Sequence, residues 1–374
     1  MTARRIAVLL ALAIGACKQP PAPAFRVVQA RELGPLPQLA IIKGRDGGYS
    51  GLFAGRSIWM YGDTVLARPG EDGTSWRNNT ASLTSDLDAA NGIGGFTEET
   101  DAKGAPRELF PQTADERAFN EAHSEVLRGA ACEKPCGARW ALWPGPLVDD
   151  AARGRALVVY NEIYGEPGEW NFHSVGTGIA TWPGPGKPVV RPILSPGATH
   201  PTLLFHKDEP NFASAAAVHE GQLYLFGCHG EKKECRLARA PLDRALERSA
   251  WSYYAGGSRW ASQPQETVAL FEGMDMTSVH YSAHLQSWVA IYSPPFDNRV
   301  LMRSAPQLVG PWSAPVKLFD AVAPSKSGEF AYSGLGHAEY ARDGGRLEYV
   351  SYYRSTAPWQ GEIRLVEVEL SRTR

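Results

Sequence analysis

The stretch from Gly44 to Thr64 reads G-R-D-G-G-Y-S-G-L-F-A-G-R-S-I-W-M-Y-G-D-T. Asp46 stands in a Gly-rich approach to a first strand. A turn follows at Ala54-Gly55-Arg56, and Asp63 closes the strand-forming run Ile58-Trp59-Met60-Tyr61. The segment therefore reads as one β-hairpin with a carboxylate at each end.

The same pairing of turn and apolar strand recurs down the chain. It appears at Gly154-Arg155-Ala156-Leu157-Val158-Val159-Tyr160, Gly221-Gln222-Leu223-Tyr224-Leu225-Phe226, Gln286-Ser287-Trp288-Val289-Ala290-Ile291-Tyr292 and Gly345-Arg346-Leu347-Glu348-Tyr349-Val350. Counted from Leu157, Leu223, Trp288 and Leu347, the intervals are 66, 65 and 59 residues. Third strands follow at Ile179–Pro183, Arg236–Ala240 and Val300–Ser304, and Gly310-Pro311-Trp312-Ser313 reads as a turn into an outer strand. A long period with several strands per unit is the pattern of propeller blades, and a β-sandwich suits it less well. The 374 residues include 38 Gly, 28 Pro and 11 Trp, a turn-rich and aromatic-rich composition with few helical signals. The fold class expected is all-β, a five-bladed β-propeller with one inserted helix. That helix is expected between Thr113 and Arg128, where Thr113 and Glu116 form a capping box and Phe119, Ala122, Val126 and Leu127 would line one face. A short helical turn is expected at Pro241–Leu246.

The N-terminus reads as an export signal. Arg4 and Arg5 precede the apolar run Ile6–Ile14, which is too short to span a bilayer. The following Ile14-Gly15-Ala16-Cys17 resembles the lipobox of bacterial lipoproteins, in which the cysteine is lipidated. The domain reading is a signal peptide over 1–16, a lipidated, proline-stiffened tether over 17–37 and a propeller over 38–374. Lys18 after the cysteine favours an outer-membrane address, facing the periplasm or the cell surface. The four remaining cysteines fall in two close pairs, Cys132 with Cys136 and Cys228 with Cys235, expected as disulfides in an oxidising compartment. The pairs lack the spacing of a four-cysteine zinc site. A formal charge of −2 offers no electrostatic case for nucleic acid or an anionic membrane surface. No metal or cofactor is expected, and the chain is expected to be a monomer held to a membrane only by its N-terminal lipid.

In a propeller the innermost strands meet ligands, so residues early in each repeat are the candidates. They are Asp46, Asp63, Asn78 and Asn79 in blade 1, Glu162 in blade 2, His280 in blade 4, and Tyr332, His337 and Glu339 in blade 5. His219-Glu220 in blade 3 reads as a turn. Each residue alone has an ordinary structural role: turn aspartates cap strand ends, and strand histidines bond to backbone. Two carboxylates at one cleft, however, are the minimum for acid–base hydrolysis of a glycosidic bond. Their separation, roughly 6.5–9.5 Å or about 5–5.5 Å, would distinguish inversion from retention. Trp59, Trp182 and Tyr332 offer faces to sugars, although tryptophans in such repeats more often fill the space between blades.

The pattern D-G-x-Y-S followed by G-R-x-x-W-x-x-G-D-T, over Asp46–Thr64, resembles the opening motif of the domain-of-unknown-function family 4185. Pro241-Leu242-Asp243, Trp251-Ser252-Tyr253-Tyr254 and Gly310-Pro311-Trp312-Ser313 fit the same family. The resemblance implies a five-bladed propeller and likeness to the endo-acting D-arabinanases of glycoside hydrolase family 183. It implies Asp46 and Asp63 as a catalytic pair; the positions on innermost strands, independently of the resemblance, put Asn79, Glu162, His280, Tyr332, His337 and Glu339 around the substrate. The expected function is a surface-anchored glycoside hydrolase acting on a polysaccharide such as arabinan. The rival is a non-catalytic carbohydrate- or protein-binding propeller lipoprotein. A calcium- or zinc-dependent hydrolase is disfavoured, because the acidic residues do not cluster with ligand spacing.

Overall fold

A computed structural model describes residues 19–168, 170–325 and 331–373. The segment that carries the signal and the lipidation candidate Cys17 lies outside the described residues. The described strands form five antiparallel sheets, one per blade. Blade 1 begins with Ile42–Phe53 and Arg56–Leu66, and blade 2 with Arg139–Asp150 and Arg155–Gly165. Blade 3 begins with Ala215–His219 and Gln222–His229, blade 4 with Thr277–Ser282 and Ser287–Tyr292, and blade 5 with Tyr332–Gly336 and Leu347–Ala357. The innermost strands neighbour one another in a closed ring, blade 1 touching both blade 2 and blade 5.

Every apolar anchor of the sequence pattern is the second strand of a blade. These strands are packed on both faces, so they read as continuous apolar runs instead of alternating ones. A period of two is nonetheless present. Ile58 and Met60 pack against Val158 and Tyr160 of blade 2. Trp59 and Tyr61 point the other way, against Tyr349 and Leu365 of blade 5. Leu157 and Val159 meet Leu223 and Leu225 of blade 3. Blades 3 and 4 share a further cluster, and so do blades 4 and 5. Apolar burial between neighbouring blades, worth about 25 cal/mol per Å², thus holds the whole ring.

The ring closes differently from the expected tether. Phe25–Pro35 is a strand, not a linker, and pairs antiparallel with Gln360–Arg372 as the outermost strand of blade 5. The propeller therefore begins at Phe25 and not at residue 38. Phe25 is buried beside Val366, Val368 and Leu370, and Arg31 bonds Glu367 at 2.9 Å. An extended proline-flanked linker and an edge strand share the same backbone conformation, and the only local difference is that apolar Phe25 needs a partner.

The inserted helix forms as α1 (Ala114–His123), with the Thr113–Glu116 capping box in place. Ser124 breaks it, and α2 (Glu125–Arg128) is a separate short turn. The expected apolar face is thereby cut: Phe119 stacks on His123 and meets Trp140, while Val126 and Leu127 are exposed. Both cysteine pairs are disulfides, Cys132–Cys136 in the loop after the helices and Cys228–Cys235 across two paired strands of blade 3. The turn after Pro241 is a short 3₁₀ helix, Leu242–Arg244.

Candidate active site

In an antiparallel hairpin the two ends of the sequence are neighbours in space. Gly47 pairs with Tyr61 and Arg45 with Thr64, so Asp46 faces the Gly62-Asp63 step across a bulge. Gly47 and Gly48 there adopt φ of +87° and +99°, conformations that side chains resist. Gly62 is required for a second reason: a Cβ at that position would lie 2.6 Å from Asp46 Oδ1. The G-D-T and D-G-G elements of the sequence are thus complementary halves of one close approach.

Three blades hold the pair. Tyr332, at the start of the inner strand of blade 5, donates its hydroxyl to Asp46 Oδ2 at 3.0 Å. Trp76 of blade 1 and Trp143 of blade 2 donate their indole N–H groups to Asp63 Oδ1 at 3.2 and 3.3 Å. Arg139, at the start of the inner strand of blade 2, adds positive charge near Asp63 and lies over the Trp76 ring, 5.3 Å from its centroid. Beneath them Tyr49 crosses the hub, donating to the Ser214 carbonyl of blade 3 at 2.7 Å. The aspartates therefore sit above this crossing, each with part of its surface open to solvent.

This setting separates their acidities from the ordinary range. Burial, and then the charge of Asp63, pushes Asp46 up to about 7, against the pull of the Tyr332 hydrogen bond. Burial pushes Asp63 up to about 6, against Arg139 and the two indole donors. The carboxylates feel each other, so they titrate as a pair. Tyr332 itself is pushed far above its usual value by burial and by Asp46, which keeps it a neutral donor.

The remaining candidates lie elsewhere. Asn79 is fully buried and its Oδ1 accepts from the backbone N–H groups of Leu109 and Phe110, at 2.7 and 3.0 Å. Glu162 is buried between Arg191 at 3.3 Å and His200 at 2.7 Å, and the same arginine grips Glu116 of α1. His280 bonds Glu348 at 3.0 Å. His337 is buried between Ser50 and Ser351 and packs against Trp59, while Glu339 accepts from Ser50 and Ser57. The structure brings Asp46, Asp63 and Tyr332 together; the others belong to networks within the blades or between them. Trp59 and Trp182 are core residues, both buried. Two hollows, of about 380 Å³ beside His229 and Arg236 and about 300 Å³ beside Leu33 and Asp86, exclude the aspartates.

Arg139, Trp76 and Trp143 were not legible as site residues. Trp76 follows Asp63 closely in sequence, but Trp143 comes from another blade, and no local spacing announces it.

The family model of DUF4185, a domain of unknown function, matches residues 183–354. The match runs from blade 2 into blade 5 and stops short of the aspartate hairpin. Among solved structures, a Bacteroides ovatus protein described as a "putative hydrolase" has a TM-score of 0.59 at 16% identity, covering 90% of this chain and 87% of its own. The α-L-arabinofuranosidase of Podospora anserina has a TM-score of 0.48 at 12% identity, over 94% of this chain and 98% of its own. A family 117 glycoside hydrolase of Zobellia galactanivorans has 0.48 at 13%, over 94% and 92%. The first likeness establishes a shared fold; the other two are too distant to bear on the chemistry of this chain. No match was found among curated proteins.

Proposed function

We propose that this protein is a glycoside hydrolase in which Asp46 and Asp63 divide the work of acid and base. The observation that carries the reading is the asymmetry of two neighbouring, partly open carboxylates. Asp63 has the indole donors and Arg139, which favour its ionised form. It is the base or nucleophile. At Asp46 burial and the negative charge of Asp63, which favour its protonated form, outweigh the pull of the Tyr332 hydrogen bond. Asp46 is the acid that protonates the leaving oxygen. Tyr332 orients it. The substrate class is a polysaccharide, with arabinan first on the strength of the blade 1 motif.

The test is release of oligosaccharides from arabinan and related polymers. Asp46→Asn and Asp63→Asn should each lower the rate by roughly 10² to 10⁴. Polymer binding by the unsubstituted chain with no turnover would overturn the hydrolase reading and leave a carbohydrate-binding propeller. We further propose that the propeller is lipid-anchored at the surface through Cys17, as the lipobox resemblance implies. Cys17→Ala should then move the protein from the membrane fraction to the soluble one, and an unchanged distribution would exclude that anchor.

A further inference from the structure

Asp63 lies where two rows of aromatic rings converge. In blade 2, Trp143 meets Phe172 with centroids 4.9 Å apart, and Phe172 meets Trp170 at 6.2 Å. Toward blade 5, Trp76 meets Trp359 at 5.6 Å. Blade 1 lies between blades 5 and 2, so the rows leave the carboxylate in different directions. The inner end of each row is an indole bonded to Asp63, and the outer end is open: Trp170 is 68% exposed and Trp359 72%.

Both outer tryptophans occupy the turn between the second and third strands of their blade. Arg139 pairs with Gly165 and Tyr332 with Tyr353, so these turns belong to the same face as the aspartates. Each has φ near +60°, a conformation that bulky residues resist. Neither ring is needed to fill the core. A strained backbone presenting a large aromatic to water, at the outer end of a row of rings that leads in to a carboxylate, requires an explanation other than packing.

We propose that the two rows are sugar-stacking subsites on either side of Asp63, engaged together by a carbohydrate chain of several units. This rests on the carboxylate-pair reading above. A sugar ring has an apolar C–H face and a polar hydroxyl edge. The C–H face stacks on the negative face of an indole while the edge stays hydrated or meets carboxylates. A lipid surface would call only for rings at the tips, whereas these rows run inward to a charged group. The corresponding turn of blade 3 is charged, with Glu231, Lys232 and Lys233, which fits a groove across one side of the disc better than an apolar rim.

The experiment uses the full chain carrying Asp46→Asn, so that turnover is blocked. It is titrated by calorimetry with arabinan, xylan and galactan oligosaccharides, from disaccharides to octasaccharides. Affinity should rise with length for the bound class. Trp170→Ala and Trp359→Ala, both at exposed positions that leave the core intact, should each weaken the longest ligand about tenfold. The double variant should lose the length dependence, and Trp→Phe should restore part of it. Tyr281→Ala, at an exposed ring outside both rows and at the other end of the blade 4 hairpin, is the control expected to change nothing. Length dependence that persists in the double variant overturns the subsites and leaves the aspartate reading standing. No binding of any oligosaccharide overturns both. Loss of binding to phosphatidylethanolamine–phosphatidylglycerol vesicles, with sugar binding intact, would assign the rings to a membrane instead.

Discussion

Two carboxylate clusters in this propeller begin from the same residue types and end in opposite states. Around Arg191, Glu116 and Glu162 are buried, and the arginine also reaches Thr202 while His200 closes the far side of Glu162. Every charge there has an opposite charge in contact. At the hub face, Asp46 and Asp63 have neutral donors, one another, and Arg139 nearby. The first arrangement pins α1 to blade 2. The second leaves both protons negotiable near neutral pH, which is what acid–base chemistry needs. Charge in a fold is structural where it is compensated and chemical where it is not.

The largest effect that can break this contrast is on turnover. Asp63→Asn should lower the rate by roughly 10² to 10⁴ without loss of stability. The sign follows from linkage. A carboxyl whose folded pKa lies above its unfolded value stabilises the fold only below that unfolded value. That contribution is lost between about 4 and the folded value, about 6 for Asp63 and about 7 for Asp46. At pH 8 both ionised groups therefore burden the fold, and the neutral asparagine should keep or raise the unfolding midpoint. A destabilised Asp63→Asn protein would place the pair with the structural charges.

Arg191→Ala is the mirror experiment. It strands two buried carboxylates, and losing one partner of such a network costs about 3–5 kcal/mol. Denaturant unfolding should show that loss, while activity per folded molecule at low temperature stays close to the parent. A stability change under about 1 kcal/mol would show that water reaches the cluster and that its burial is not the distinction drawn here.

The sequence legibly carried the ring, because second strands packed on both sides must be apolar throughout and therefore recur as runs such as Leu157–Tyr160. It did not carry the seam. Phe25–Pro35 finds its partner more than 300 residues away, and nothing local separates such a strand from a tether. The site divides in the same way. Asp46 and Asp63 were readable because glycines on one hairpin make their approach, and Tyr332 because it starts an inner strand. Glu162 and Asn79 looked equivalent to them, since a sequence shows which residues are polar but not which are already satisfied. Arg191, 29 residues beyond Glu162, decides its role. Trp143 and Trp359 reach the site only through the ring's closure.

The smallest effect tests the assignment within the pair. If Asp63 must be ionised and Asp46 protonated, activity rises through an apparent value near 6 and falls above about 7. Tyr332 stabilises ionised Asp46 by its hydrogen bond. Tyr332→Phe removes that donor, so Asp46 should hold its proton to higher pH and the alkaline limb should move upward. The acid limb, set by Asp63, should move little. A movement of the acid limb alone would reverse the roles, making Asp46 the base. A lower rate with neither limb displaced would leave Tyr332 as packing, because loss of a positioning ring slows the reaction without changing which proton is where.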